Sequence, residues 1–337
     1  MTLQSRIWTP VDFDADGSQS DCFRLPHSTD LSAYGWIPIP VFCLKNGPGP
    51  TALLISGTHG DEYEGQVALL NLARSLDCAD IRGRVIIVPA LNYPAVISGR
   101  RVSPLDEGNL NRMFPGNALG TPSQMIAHYV SEVLIPMANF VVDLHSGGRS
   151  LHYVQSSLVR PGRDEGQRQA LFQMMEVFGA PISFVSNGAG GGGMTTLASA
   201  AEERNILALT TELGGGATLS SAGAALAENG LKRLLKHFGV TPELLVEPAQ
   251  PTRIMMVAGR DSFVYSHSRG IFEPFAELGD EVRADDEAGL IHPVEWPYRE
   301  PQLVRFASSG LVACRRAPSL AEPGDCLFKL MVPLEQL

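Results

Sequence analysis

The sequence predicts an α/β fold, a mixed sheet flanked by helices, followed by a small all-β domain. Three observations predict it. Short apolar runs between Ala52 and Glu212 alternate with stretches of helical apolar spacing, the pattern of a largely parallel or mixed sheet covered on both faces. Several of those runs end in polar turns rich in glycine, where open α/β sheets place their ligands. Beyond the Pro-, Glu- and Gln-rich stretch Thr241–Thr252, the pattern changes to short β-like runs broken by Gly, Pro and Asp, the spacing of a small sandwich or barrel. The boundary is therefore expected between 1–245 and 246–337, with residues 1–50 as a β entry segment.

Taken in order, strands are expected near Ser20–Leu25 and Trp36–Lys45 as an antiparallel entry, the second ended by Pro48 and Pro50. Ala52–Ser56 reads as a buried strand. Glu62–Leu76 carries Val67, Leu69, Leu70, Leu72 and Ala73 at helical spacing. Arg84–Leu91 is strand-like, and Asn92–Asn117, punctuated by Pro94, Gly99, Pro104, Gly108 and Pro115, reads as one long irregular loop. Loops of that length in compact domains are usually functional. An amphipathic helix is expected over Gln124–Met137, a strand over Asn139–His145 and a further short strand near His152–Ser156. Helices follow at Arg163–Phe178, Thr195–Arg204 and Ser220–Phe238, with strands at Pro181–Val185 and Ile206–Glu212. The glycine cluster 188–193 lacks the strand–turn–helix setting of a dinucleotide fingerprint and reads as an active-site loop.

At 337 residues, with 44% hydrophobic and 18% charged, the composition is that of an ordinary globular chain. A net charge of -10 and the lack of a Lys/Arg run argue against a nucleic-acid surface. No apolar run approaches the ~20 residues of a membrane span, and the N-terminus shows no secretory signal pattern. Five scattered cysteines without a CxxC pair fit a reduced cytoplasm. The sequence leaves self-association open.

The chemistry gathers at three strand ends. His59 and Glu62, three residues apart in Ser56-Gly57-Thr58-His59-Gly60-Asp61-Glu62, can both reach one ion. His145 follows another buried strand and could supply a third ligand, completing the His/His/Glu set of a catalytic zinc with its fourth position open, the alternatives being a His145 that only caps its strand and a His59–Glu62 segment that is only a polar turn. Asp143 shares a strand face with His145 and could accept its other ring N–H, although a strand-end Asp bonded to loop amides is an equal alternative. Glu212 closes the strand Ile206–Thr211 and could shuttle a proton at the mouth of such a site. The long loop offers Arg100, Arg101, Asn111 and Arg112, whose donors suit a carboxylate or an oxyanion.

Together, Gly57-Thr58-His59-Gly60-Asp61-Glu62, Asn109-Leu110-Asn111-Arg112-Met113-Phe114-Pro115-Gly116, Asp143-Leu144-His145 and Glu212-Leu213-Gly214 resemble the succinylglutamate desuccinylase/aspartoacylase family of zinc carboxypeptidase-like enzymes. The resemblance covers roughly residues 50–240 and extends to the order of the motifs. It implies one zinc ion per chain on His59, Glu62 and His145. It implies Glu212 as general base and then acid, and Arg101 as the group that polarises the scissile carbonyl, with its neighbour Arg100 as the alternative. Asn111 and Arg112 match the pair that holds the substrate's α-carboxylate, and Asp143 matches the carboxylate behind a zinc ligand. The C-terminal β domain is also similar in position to the one these enzymes carry. Within the family, the length, the Phe-Pro-Gly after Asn-Arg and the glycine-rich insert are most similar to the branch acting on N-α-acetyl-L-2,4-diaminobutyrate in ectoine breakdown.

The expected function is thus a zinc-dependent amidohydrolase that removes an acyl group, expected to be acetyl, from a small-molecule N-acyl amino acid. A deacylase of the succinylglutamate or acetylaspartate type is the near alternative. A metallocarboxypeptidase would use the same site chemistry with a more open pocket. A metal-free binding module would leave the motif set without a purpose.

Overall fold

The computed structural model describes residues 4–334 except 187 and 189–191, so half of the glycine cluster at 188–193 lies outside the described residues, while Gly188, Gly192 and Gly193 line the cavity described below. In chain order the first strands are β1 (Gly17–Pro26), β2 (Trp36–Asn46), β3 (Thr51–Ser56), β4 (Gly83–Val88) and β5 (Phe140–Leu144). Next come β6 (Leu151–Tyr153), β7 (Ser156–Val159), β8 (Ile182–Val185) and β9 (Leu207–Glu212). The C-terminal part holds β10 (Arg253–Met256), β11 (Phe263–Tyr265), β12 (Gly270–Pro274), β13 (Glu281–Val282) and β14 (Glu287–His292). It ends with β15 (Gln302–Arg305), β16 (Gly310–Arg316), β17 (Leu320–Ala321) and β18 (Cys326–Pro333).

The expected antiparallel entry is the β1–β2 pair. Behind it the sheet is mixed, running β1-β2-β4-β3-β5-β9-β7-β8-β10-β18-β16-β13. The β4-β3-β5-β9 stretch is parallel, whereas β7 runs antiparallel to β9. Hydrogen bonding continues from β8 into β10 and on to β18, so residues beyond 250 both extend this sheet and form a separate antiparallel sheet, β15-β14-β12-β17. Their own apolar cluster, centred on Phe272, Phe306 and Phe328, supports our proposal that residues 246–337 are a β domain.

The two faces of the central sheet are set by strand alternation. Along β3, Leu53 and Ile55 point to one side and Ala52 and Leu54 to the other. The first face is covered by α3 (Pro122–Tyr129) and α5 (Leu197–Glu203). The second is covered by α1 (Glu64–Ser75), α4 (Glu165–Phe178) and α6 (Ser221–His237). Both faces being apolar explains why these strands read as continuous hydrophobic runs.

Two expectations are corrected. The segment 92–117 is not wholly irregular: it contains a helix, α2 (Tyr93–Ser98). Pro94 sits in its first turn and Gly99 closes it in the left-handed conformation, so the residues read as loop punctuation are a helix start and stop. The helix expected over Gln124–Met137 stops at Tyr129, passes through a wide turn at Val130–Leu134 and finishes as a tight turn at Ile135–Met137. Pro136 lies in that last turn, where its missing N–H and ring bar a regular helix.

Candidate active site

β4 lies on one side of β3 and β5 on the other, so the chain reverses its direction of travel across the sheet at β3. Ligand crevices form at such a reversal, beyond the carboxyl ends of the strands. His59 and Glu62 follow β3, and His145 follows β5. The turn between them needs its glycine: a Cβ on Gly60 would lie 2.1 Å from the Ala95 carbonyl.

His59, Glu62 and His145 are 3–4% exposed, and one donor atom from each lies within 4.8 Å of the others. Glu62 bridges the rings, with Oε1 2.8 Å from His59 Nδ1 and Oε2 2.8 Å from His145 Nδ1. The far nitrogens are also occupied: His59 Nε2 is 3.1 Å from Asn109 Oδ1, and His145 Nε2 is 2.9 Å from Asp143 Oδ2. If each far nitrogen carries the N–H, both Nδ1 lone pairs face the common centre. Asp143 is held in turn by the Thr58 hydroxyl, which donates to Oδ1 at 2.9 Å. Ser146 N–H donates to Glu62 Oε2 at 3.1 Å.

The electrostatics favour a cation at that centre. Burial alone would raise the Glu62 carboxyl, yet the two histidines hold it well below the carboxylate range. Burial opposes charge on His145, but Asp143 and Glu62 outweigh it and push the ring well above its ordinary pKa. Two carboxylates therefore ask for positive charge around His145, and a metal ion can supply it in place of a proton. Two imidazoles and one carboxylate, buried and convergent, fit zinc by number and donor type.

Glu212 lines the same cavity. Its Oε2 is sealed from solvent with no hydrogen-bond partner among the described residues. Burial, reinforced by Glu62, raises this carboxyl to about 7. Arg101 also lines the cavity, with Nη1 3.2 Å from Glu62 Oε1 and 3.3 Å from His59 Nδ1. Arg100 turns away to Glu107 at 2.5 Å, so only Arg101 of the two reaches the cluster. Asn111 accepts at Oδ1 from Leu197 N–H at 3.1 Å, which fixes its amide on the start of α5. Arg112 donates from Nη1 to the Asn111 carbonyl at 2.7 Å, and both residues line the cavity.

The structure thus brings His59, Glu62, His145, Asp143, Glu212, Arg101, Asn111 and Arg112 to one cavity of about 340 Å³. Sequence reasoning gave no role to Asn109, although its position two residues before Asn111 in the same motif was a usable signal. Tyr153, Phe184 and Lys329, which complete another wall, carried no such signal.

A parallel-cored α/β sheet carries a buried His-Glu-His cluster that could hold a metal ion, with a further carboxylate in the same cavity, an arrangement suited to hydrolysis. Residues 48–238 match the succinylglutamate desuccinylase/aspartoacylase catalytic domain. The chain is 37% identical over 333 residues to N-alpha-acetyl-L-2,4-diaminobutyric acid deacetylase of Halomonas elongata, covering 99% of this chain and 97% of that one. Among solved structures it is similar to a succinylglutamate desuccinylase/aspartoacylase from Rhodobacter sphaeroides (39% identity, TM-score 0.93, 98% of this chain and 100% of the other). It is equally similar to the product-bound ectoine utilization protein EutE (DoeB) from Ruegeria pomeroyi (38% identity, TM-score 0.93, 98% and 100%). The chain belongs to the succinylglutamate desuccinylase/aspartoacylase family, a family of acyl amino acid hydrolases.

Proposed function

We propose that the chain is a zinc-dependent deacylase that removes the acetyl group from N-α-acetyl-L-2,4-diaminobutyrate, a small-molecule step of cytoplasmic metabolism. The observation that carries this reading is the full-length 37% identity to a deacetylase of that substrate, joined to a cavity that holds the His-Glu-His cluster, Glu212 and an Asn-Arg pair. At about 340 Å³ the cavity is sized for an amino-acid derivative, which favours a deacylase over a carboxypeptidase.

His59, Glu62 and His145 would hold the zinc, which when bound supplies Lewis acidity toward a carbonyl and a water. Glu212, unpartnered at Oε2, takes a proton from the attacking water and delivers it to the departing amine. Arg101 offers its Nη1 donor to the oxygen that gains charge at the scissile carbonyl. Asn111 and Arg112 bind the α-carboxylate and so fix the amide against the water. Asp143 keeps His145 in the tautomer that points Nδ1 inward.

The test is turnover of N-α-acetyl-L-2,4-diaminobutyrate, N-acetylaspartate and N-succinylglutamate by zinc-loaded protein. Highest kcat/KM on the first is expected. Preference for another acyl amino acid would move the substrate within the family, and cleavage of peptides alone would overturn the deacylase reading.

A further inference from the structure

Glu64 opens α1 two residues after Glu62, and the chemistry proposed above gives it no task. The residue is fully buried. Its Oε2 accepts from the Ser146 hydroxyl at 2.5 Å, and its Oε1 accepts from the Ser220 N–H at 3.0 Å. Both partners are uncharged, and among the described residues the carboxyl group has no ion-pair partner. Burying such a group without a cation is costly. An acidic residue that served only the start of α1 could do so from the surface. Here two helix starts meet the group instead, its own and that of α6, whose N-cap is Ser220.

Three strand-end turns meet on this side chain. The first is its own, after β3, which carries His59 and Glu62. The second follows β5: the Ser146 hydroxyl is held by Glu64, while the Ser146 N–H donates to Glu62 Oε2 at 3.1 Å. The third follows β9 and Glu212. A Cβ on Gly214 would lie 2.7 Å from Glu64 Oε1, so the chain leaving Glu212 rests directly on the carboxyl group. Leu213 N–H donates to the His145 carbonyl at 3.0 Å, and Gly147 N–H donates to the Gly214 carbonyl at 3.1 Å. The second and third turns are thus bonded to each other, and Glu64 ties both to the first. Glu212 Oε2 has no hydrogen-bond partner among the described residues, so the backbone that carries Glu212 has to place it.

Resting on the deacylase reading, we propose that Glu64 is a positioning residue of the active site. Through Ser146 it holds the Glu62 carboxylate in place, and through Gly214 and Ser220 it sets where Glu212 stands relative to His59, Glu62 and His145. Glu64 is not among the residues lining the cavity and acts only through these neighbours.

The experiment compares wild type with three variants. Glu64→Met fills the space without hydrogen bonds. Glu64→Gln can accept from Ser220 N–H at Oε1 and donate from Nε2 to the Ser146 hydroxyl oxygen. Ser146→Ala drops only the hydroxyl and keeps the N–H that reaches Glu62. Zinc affinity is read by chelator competition, and kcat and KM on N-α-acetyl-L-2,4-diaminobutyrate at saturating zinc. The visible absorption of the cobalt(II)-loaded protein reports the geometry of the ligand set. Glu64→Met and Ser146→Ala should weaken zinc binding about 10–100-fold and alter the cobalt bands. In Glu64→Met, kcat should fall roughly tenfold or more with KM changed less than about threefold, because Asn111 and Arg112 lie on a separate loop. Glu64→Gln should recover most of both losses. A Glu64→Met protein that loses heat stability but keeps wild-type zinc affinity and kcat would overturn the proposal, leaving Glu64 as a helix-start residue. A Glu64→Gln protein as impaired as Glu64→Met would overturn it too. If Glu64→Met does not fold, Ser146→Ala decides, and wild-type zinc affinity and cobalt bands in that variant sink the proposal. The cobalt bands need no turnover. If wild type hydrolyses no acyl amino acid yet the bands shift in the variants, the deacylase reading fails and the Glu64 assignment stands.

Discussion

Asp143 Oδ2 lies 2.9 Å from His145 Nε2, with both residues at the end of β5 and both buried. The carboxylate aligns the ring so that Nδ1 faces Glu62. Asp143→Ala should therefore weaken metal affinity about 10–100-fold while leaving the ligand set intact. Competition with a chromogenic chelator measures this, and affinity equal to wild type would remove Asp143 from the site.

Removing the metal is expected to abolish hydrolysis, and zinc should restore it. The folded chain should also become less heat-stable on chelation, because an ion that binds only the native state at 100 times its Kd adds about 2.7 kcal/mol. Differential scanning calorimetry with and without chelator reads the shift. A Tm indifferent to both would contradict a zinc site at His59, Glu62 and His145.

Glu212→Gln should retain zinc and lose turnover by roughly 10²–10⁴-fold, the usual scale of acid–base assistance. Metal content is measured on the same sample as kcat. Full activity in the variant would exclude Glu212 as the proton carrier.

Adjacent arginines should behave differently. Arg101 reaches Glu62, whereas Arg100 pairs with Glu107 near the surface. Arg101→Ala is expected to lower kcat about 10²–10³-fold, as loss of an oxyanion donor does. Arg100→Ala should change kcat little, since exposed ion pairs contribute roughly 0–1 kcal/mol. Similar losses in both variants would refute the assignment.

Gly60→Ala tests the turn itself. Its Cβ would meet the Ala95 carbonyl at 2.1 Å, so a backbone shift is unavoidable, at a cost of roughly 1–3 kcal/mol. The shift should displace His59 as well. Reduced Tm and reduced zinc affinity are expected together, and a variant wild-type in both would show that the turn can relax freely.

Much of this site could be read in the sequence because its parts are local. His59 and Glu62 share one turn, Asp143 and His145 share one strand end, and Asn111 and Arg112 are neighbours. Strands buried on both faces announced themselves as apolar runs, which fixed where those turns would lie. What sequence could not give is long-range. Lys329 approaches Phe184 across 145 positions, and no spacing rule connects β8 with β18. Asn109 shows a different limit: an uncharged amide in a loop gives no sign that it will meet a histidine 50 positions earlier. The helix at Tyr93–Ser98 shows that Pro and Gly can bound an element as well as interrupt one.

The unbroken ladder from β8 through β10 to β18 bears on how the protein can be cut. A chain ended near residue 245 would keep every proposed zinc ligand and Glu212, yet it would bare the edge of β8 along Ile182–Val185. Exposed strand edges recruit other chains. The shortened protein should therefore elute as aggregates, with its catalytic residues present and its cavity missing a wall.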